Sequence, residues 1–351
     1  MAQERVTGRL IERNYDVGST AELHVNNVRG SVRVTGTDST TLRLRIEVDP
    51  ERKLADDEIE RLPLDLEHEG NRVNVKVLSD KAIMGWFERR SGPPAVRISV
   101  EAPLRTLANI SCVSADVALA GLTGVQTVNT VSGKIVATEI AGDVRLNTVS
   151  GDALITRSNG AVRWNSVSGD LIVRDGETTG ITANSVSGSA EAALDGHLSA
   201  GVQVQTVSGN LRLTVPADFR ADVLLSSMSG SVQCGLPVQV LESKRGRWRA
   251  SVNGGGPAVR LSSMSGSLRL TSAAAVGAGV ASFRPGQGDI PGGDVRPQWA
   301  ERPERPPTAG QPDDERLGIL RLVERKEISI EEGLARLDAL RRQAAGTEGE
   351  R

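Results

Sequence analysis

The sequence predicts an all-β fold, a single-stranded, parallel β-helix-like solenoid of about 18–21 residues per coil, followed by a small C-terminal α-helical hairpin. Three observations carry this prediction. A five-residue motif returns at a short, nearly fixed interval, the residues after each copy alternate with period two, and beyond a proline-rich stretch the periodicity becomes helical. Composition agrees. The 351 residues hold 38 Gly but only 3 Phe, 4 Trp and 1 Tyr, a balance suited to narrow stacked units rather than to a core of large rings.

Residues 1–110 read as a β-rich region that starts and caps the solenoid. GSVRVTG (Gly30 to Gly36) and RVNVKVL (Arg72 to Leu78) alternate as strands do. Between them DPERKLADDEIERLPLDL (Asp49 to Leu66) is charged enough for a short helix or an inserted loop. KAIMGWFERRSGPP (Lys81 to Pro94) then sets Trp86 and Phe87 beside Arg89 and Arg90 in a loop. Clustered aromatic and arginine side chains suit a partner or a membrane surface, and equally a plug over the open first coil. Both readings stay open.

Residues 111–272 are the solenoid. NTVSG at Asn129 to Gly133 and Asn147 to Gly151 is followed by NSVSG at Asn165 to Gly169 and Asn184 to Gly188, QTVSG at Gln205 to Gly209, and SSMSG at Ser226 to Gly230 and Ser262 to Gly266. Successive glycines are 18, 18, 19, 21, 21 and 36 residues apart, and SCVSA (Ser111 to Ala115) is a degenerate first copy. After the glycines, GKIVA, GDLIV, GNLRL and GSLRL place aliphatic residues at alternate positions, the mark of a strand with one face inward. Each motif valine is expected to stack on that of the next coil, Asn and Ser to satisfy turn groups, and glycine to permit a positive φ or a close approach at the corner. The last interval leaves room for one turn plus an insertion, LESKRGRWRASVNGGG (Leu241 to Gly256), in which Lys244, Arg245, Arg247 and Arg249, with Arg260 beyond, surround Trp248. That cluster suits a solvated hairpin or a small anionic contact patch.

Catalytic and metal chemistry find little support. Asp152 and Asp170 follow motif glycines in the same phase and would lie ~5 Å apart in adjacent coils, within reach of a retaining glycosidase pair or a shared cation. Asp143 follows a minor glycine. The same phase elsewhere holds Lys134, Ser189, Asn210, Ser231 and Ser267, as a tolerant turn would. The motif serines have no GxSxG elbow and no suitably placed base. Cys112 and Cys234 match no metal spacing and read as reduced structural thiols, and His24, His68 and His197 are scattered. No phosphate loop, dinucleotide fingerprint or calcium nonapeptide occurs, so no cofactor, metal or small-molecule substrate is expected. A formal charge of −2 gives no drive toward nucleic acid. No stretch reaches membrane-span length and the first residues are charged, so the expected compartment is the cytoplasm, with peripheral membrane contact left open.

Residues 273–312 are a Pro/Gly-rich linker, with 7 prolines in the 28 residues from Pro285 to Pro312, the composition of an extended, semi-flexible tether. Within 313–344, Leu317, Leu320 and Val323 form one helical stripe, and Ile330, Leu334, Leu337 and Leu340 another. Ser329 with Glu332 makes a capping box for the second helix. About 30 residues seldom fold alone, so these stripes need a partner or a second copy.

The VSG coils with their strand-rich forerunner resemble the putative-adhesin β-solenoid family of bacterial proteins over about residues 20 to 272. The terminal segment resembles the short SHOCT-like helical module, which LiaX-like envelope-stress proteins couple to such a solenoid. The resemblance implies a scaffold in a bacterial envelope or stress setting, with the hairpin mediating oligomerisation or docking. The sequence therefore reads as a non-enzymatic scaffold. A carbohydrate-binding or carbohydrate-cleaving β-helix using Asp143, Asp152 or Asp170, and a secreted adhesin, are the competing readings.

Overall fold

Every coil turns twice, and the first turn is the VSG motif. In the computed structural model, which describes residues 4–7, 10–48, 64–77, 95–196, 198–244, 246–273 and 281–283, the chain forms 25 strands joined in one sheet and no α-helix among those residues. Each coil gives one strand that ends in the motif and a second that begins just after its glycine. The first set is β9 (Gln126–Ser132), β11 (Val144–Ser150), β13 (Ala161–Ser168), β15 (Gly180–Ser187) and β17 (Gly201–Ser208). The second is β10 (Ile135–Thr138), β12 (Ala153–Thr156), β14 (Leu171–Gly176), β16 (Ala190–Leu194) and β18 (Leu211–Val215). Within each set the strands are parallel, and like residues stand on like: Asn147 pairs with Asn129 and with Asn165, and Ile155 with Ala137 and Val173.

Two long strands, β3 (Thr20–Thr37) and β8 (Arg105–Ala120), run through both positions of a coil and pair with each other in parallel. They join the two sets into a single sheet folded along the line of motif corners. Alternation fills the interior between the two halves. Val144, Leu146 and Thr148 of β11 and Ala153 and Ile155 of β12 are buried, while Arg145 and Asn147 face out. The expected narrow aliphatic core is therefore present, and it accommodates Trp164 where the register places it against Leu146 on one side and the small Ala183 on the other.

Close approach, more than dihedral freedom, explains the glycines. A Cβ on Gly188 would run into the carbonyl oxygen of Gly169, one on Gly209 into that of Gly188, and one on Gly266 into that of Gly209. Gly188 and Gly209 do not have positive φ, so the stacking distance alone excludes a side chain there.

The order of the last coils departs from chain order. β19 (Ala221–Ser229) and β20 (Val232–Gly235) do not stack on β17 and β18; β23 (Ala258–Ser265) lies between β17 and β19, and β24 (Leu268–Ser272) between β18 and β20. The insertion explains the exchange. β21 (Val238–Lys244) and β22 (Arg247–Val252) form an antiparallel hairpin, and β22 seals the outer edge of β19, so the coil directly before the hairpin must be the terminal one. β25 (Ala281–Phe283) covers β20 in the same antiparallel way. Because both last copies read SSMSG, the motif carries no sign of the exchange.

At the other end, β6 (Arg72–Val77) lies parallel on the first half of β3 and β5 (Leu64–Glu69) antiparallel on β6. On the second half of β3 lies β7 (Val96–Pro103), followed outward by β4 (Thr41–Val48), β2 (Leu10–Asp16) and β1 (Glu4–Thr7), each antiparallel to the last. The pairing also exposes an earlier motif copy. NNVRG, Asn26 to Gly30, stacks in register on Ser111 to Ala115, and the Asn27 amide donates to the Val96 carbonyl at 3.1 Å. Of the charged stretch ending at Leu66, residues 64–66 open β5 and the remainder lies outside the described residues. Trp86, Phe87, Arg89 and Arg90, and the whole of 313–344 with Leu317, Leu320, Val323, Leu334, Leu337 and Leu340, also lie outside them.

Gly188→Ala should lower unfolding free energy by about 1–3 kcal/mol, the usual range for overpacking. Gly196→Ala, where the added Cβ meets only the Glu177 side chain at 3.5 Å, should stay within about 0.5 kcal/mol of the parent. Urea unfolding of the two variants beside the parent measures the difference.

Candidate interaction surface

Each residue of the motif has one task at the corner. The asparagines point outward and form an amide ladder: Asn147 Nδ2 donates to Asn129 Oδ1 at 2.9 Å, Asn165 to Asn147 at 3.0 Å, and Asn184 to Asn165 at 3.0 Å. The next residue points inward. Thr130, Ser166, Thr206, Ser227 and Ser263 are buried, and their hydroxyls donate to corner carbonyls, as Thr130 Oγ1 does to Ser132 O at 3.0 Å and Ser227 Oγ to Gly266 O at 3.2 Å. The inner hydroxyl alone thus does the turn satisfaction expected of both, and the asparagine amides bond one another instead.

The third residue is the apolar one, and it faces solvent. Val113, Val131, Val149, Val167, Val186 and Val207 are 43–51% exposed, Met264 53% and Met228 77%. In stacking order these eight form one continuous row, since β23 places Met264 between Val207 and Met228. At ~4.8 Å per coil the row is about 34 Å long. The valines therefore stack as expected, but outside the core. Their phase was available in the sequence: counting by two from the inward Leu146 and Thr148 leaves Val149 outside. Toward the last coils the row runs into a groove of about 500 Å³ lined by Asn184, Gln205, Val207, Met264 and Met228 and closed by Gly246 and Arg247 of the hairpin.

The carboxylates serve the corners. Asp152 Oδ1 accepts the Asp170 backbone N–H at 3.0 Å, Asp170 Oδ1 accepts that of Ser189 at 2.7 Å, and Asp116 does the same for Lys134 at 2.8 Å. Asn210 takes over the role for Ser267 at 3.0 Å, which is why that phase tolerates several polar residues. Asp143 accepts the Ala161 N–H at 3.1 Å and is paired with Arg163 at 3.3 Å and Arg145 at 3.8 Å. Among the described residues no group of three His, Cys, Asp or Glu side chains is placed to hold a metal. His24 is bonded to Glu22 at 3.1 Å, and His68 reaches the Gly70 carbonyl at 2.8 Å with its ring against Tyr15; His197 lies outside the described residues.

Of the insertion, the structure makes a hairpin with one wet face. Trp248, a candidate contact in the sequence, is only 9% exposed and pairs with Leu225 on β19, because alternation in β22 turns Trp248, Ala250 and Val252 inward. Arg247 and Arg249 point outward, and Lys244 holds Glu242 at 2.7 Å. That bond, reinforced by the charges of Arg247 and Arg249, keeps the Glu242 carboxyl below the usual carboxylate range. Arg260 is exposed on β23, and Arg245 is outside the described residues. The two cysteines are free and buried; burial pushes the Cys112 thiol up to about 11 and raises that of Cys234. No described helix is long and apolar enough to cross a membrane.

The family model described as Toastrack DUF4097 matches residues 20–271. No curated protein matches the chain. Similar solved structures include a putative adhesin from Bacteroides fragilis, 12% identical, covering 76% of this chain and 98% of its own, with a TM-score of 0.42. A putative lipid binding protein from Parabacteroides distasonis is 13% identical over 75% of this chain and 97% of its own, TM-score 0.37. A putative cell adhesion protein from Clostridium sporogenes is 8% identical over 77% of this chain and 100% of its own, TM-score 0.28.

Asp170→Ala removes the acceptor of the Ser189 N–H at an exposed corner and should cost about 0.5–1.5 kcal/mol, while Asp170→Asn, which keeps a carbonyl oxygen there, should recover most of it in thermal unfolding. Cys112 and Cys234 should resist a thiol reagent at pH 8 in the folded chain and react at once in denaturant. The raised Cys112 thiol supports the fold below the unfolded thiol value of about 8.5. That support should fade as pH climbs through about 11, measured as a falling alkaline melting temperature.

Proposed function

The chain belongs to the Toastrack DUF4097 family, and we propose that it works as a non-enzymatic β-solenoid scaffold whose Val/Met row is the contact surface for a protein partner. The row itself carries the reading. Eight aliphatic side chains stand about half exposed or more in a line, whereas the outward aliphatic residues of the second strands, Val136, Leu154 and Ile172, are half-buried. An apolar strip on a polar face is the usual mark of an interaction site. The asparagines beside it, Asn129, Asn147, Asn165 and Asn184, bond one another, so part of the polar surface along the strip is already engaged within the chain. The motif-corner carboxylates, the strongest candidates for sugar cleavage, are held by backbone N–H groups, which favours the scaffold over the glycan reading.

Residues 313–344 supply the second element of the proposal. Their leucine stripes, Leu317, Leu320 and Val323 with Leu334, Leu337 and Leu340, fit docking or self-association, and tethering through 273–312 would raise the effective concentration of that contact. The envelope or stress setting belongs to the same proposal.

Val149→Glu with Val186→Glu, two coils apart, should leave the melting temperature of the full chain nearly unchanged and abolish capture of the protein that the parent retains. Undiminished capture overturns the role of the row. Cleavage of a glycan that disappears with Asp152→Ala plus Asp170→Ala overturns the scaffold reading. Deleting 313–351 should lower the number of copies per particle in light scattering, beyond the loss of the deleted residues' own mass.

A further inference from the structure

We propose that copies of this chain join end to end through β21 of one and β5 of the next. The inference uses strand edges rather than the Val/Met row and stands independently of it.

Both strands are unpaired on their outer side among the described residues. β21 pairs with β22 and β5 with β6. Directions match: β6 runs with β3 and the solenoid strands, so β5 runs against them, while β22 opposes β19 and β21 again runs with it. β21 meeting β5 of a second copy therefore makes an antiparallel pair, the same relation that already joins the strands within each cap.

Side chains agree on both faces. Four half-buried apolar residues pack against the core among the described residues, and three of them lie on these edges: Leu64 and Leu66 of β5 and Val238 of β21. Val240, in register with the buried Ala250, is 51% exposed on the same inward side. A joint completes this unfinished core. On the outer face β5 carries Asp65, Glu67 and Glu69 against Arg72 and Lys76 of β6, an acidic excess. The hairpin carries Lys244, Arg247 and Arg249 against Glu242, a basic one.

The ends are stepped in opposite senses. Beyond β3, the half of the sheet with β7, β4, β2 and β1 extends two strands further than the half with β6 and β5. Beyond the terminal coil, the half with β22 and β21 extends one strand further than the half with β25. The steps differ by one strand, so β1 of one copy and β25 of the other fall in the same layer and the four-residue β1 must leave β2 for the joint to close. The irregularity between Val240 and Glu242 restricts regular pairing to short stretches, so the joint is weak and depends on concentration. A heterologous contact of this kind does not close on itself and gives open chains.

Sedimentation and negative-stain imaging of the full chain should show elongated particles whose weight-average mass at least doubles with rising concentration and falls with added salt. Glu67→Lys with Glu69→Lys, or Arg247→Glu with Arg249→Glu, should each hold the chain as single copies. An equimolar mixture of the two variants should restore the long particles, because the reversed edges now match one another; misfolded variants would not recover. Single copies of the parent at every concentration, assembly indifferent to both reversals, or a mixture that stays dispersed would each overturn the proposal.

Discussion

The stacking of bare backbone on bare backbone at the motif corner governs this structure. Strands in neighbouring coils pair at their ordinary separation, and at the corner the chain leaves no room for a Cβ between one coil and the next. Glycine removes the obstacle, and the residues around it then acquire fixed duties. In the copies of Thr130, Ser166, Thr206, Ser227 and Ser263 an inner hydroxyl donates to a corner carbonyl, and an aspartate or its substitute accepts the N–H that follows the next glycine. Each hydrogen bond crosses to an adjacent coil or closes the corner itself. The repeat is thus a mutual arrangement, and a single copy would leave its own backbone groups unsatisfied.

This economy shapes the surface as well. Parallel, in-register stacking turns any residue type at one motif position into a line along the molecule. Asparagine becomes an amide ladder whose members satisfy one another, and valine becomes an apolar row. The second outcome is costly in water, since six valines and two methionines each keep roughly half their surface or more in solvent. Nothing about corner geometry demands valine there, and serine in the adjacent position is equally exposed, so the row points to contact rather than to folding.

Much of this was legible in the sequence because each feature repeats. The period, the alternation and the corner glycines were visible from the recurring NTVSG alone, and the turn role of Asp152 and Asp170 followed from the Ser and Asn that replace them. Other features were hidden for physical reasons. NNVRG at Asn26 is separated from the next copy by sheet-edge strands rather than by one coil, so spacing could not reveal it. Trp248 looked exposed because arginines surround it in sequence, yet in a strand neighbours in sequence face opposite ways. The exchange of the last two coils was invisible because identical motifs pair equally well in either order, and only the hairpin's place in the chain decides between them.

That exchange bears on how such a molecule can change length. Duplicating one 18-residue unit among β9 to β14 would extend every ladder by a rung and leave both caps intact. The segment after Gly209 has no such freedom. The coil of Gly230, the hairpin that closes it and the coil of Gly266 form an interlocked terminus, in which the last-synthesised coil occupies a slot bounded on both sides. A copy added there would have no slot to enter, so growth by tandem repetition is confined to the middle, and the closing end is inherited as a single block.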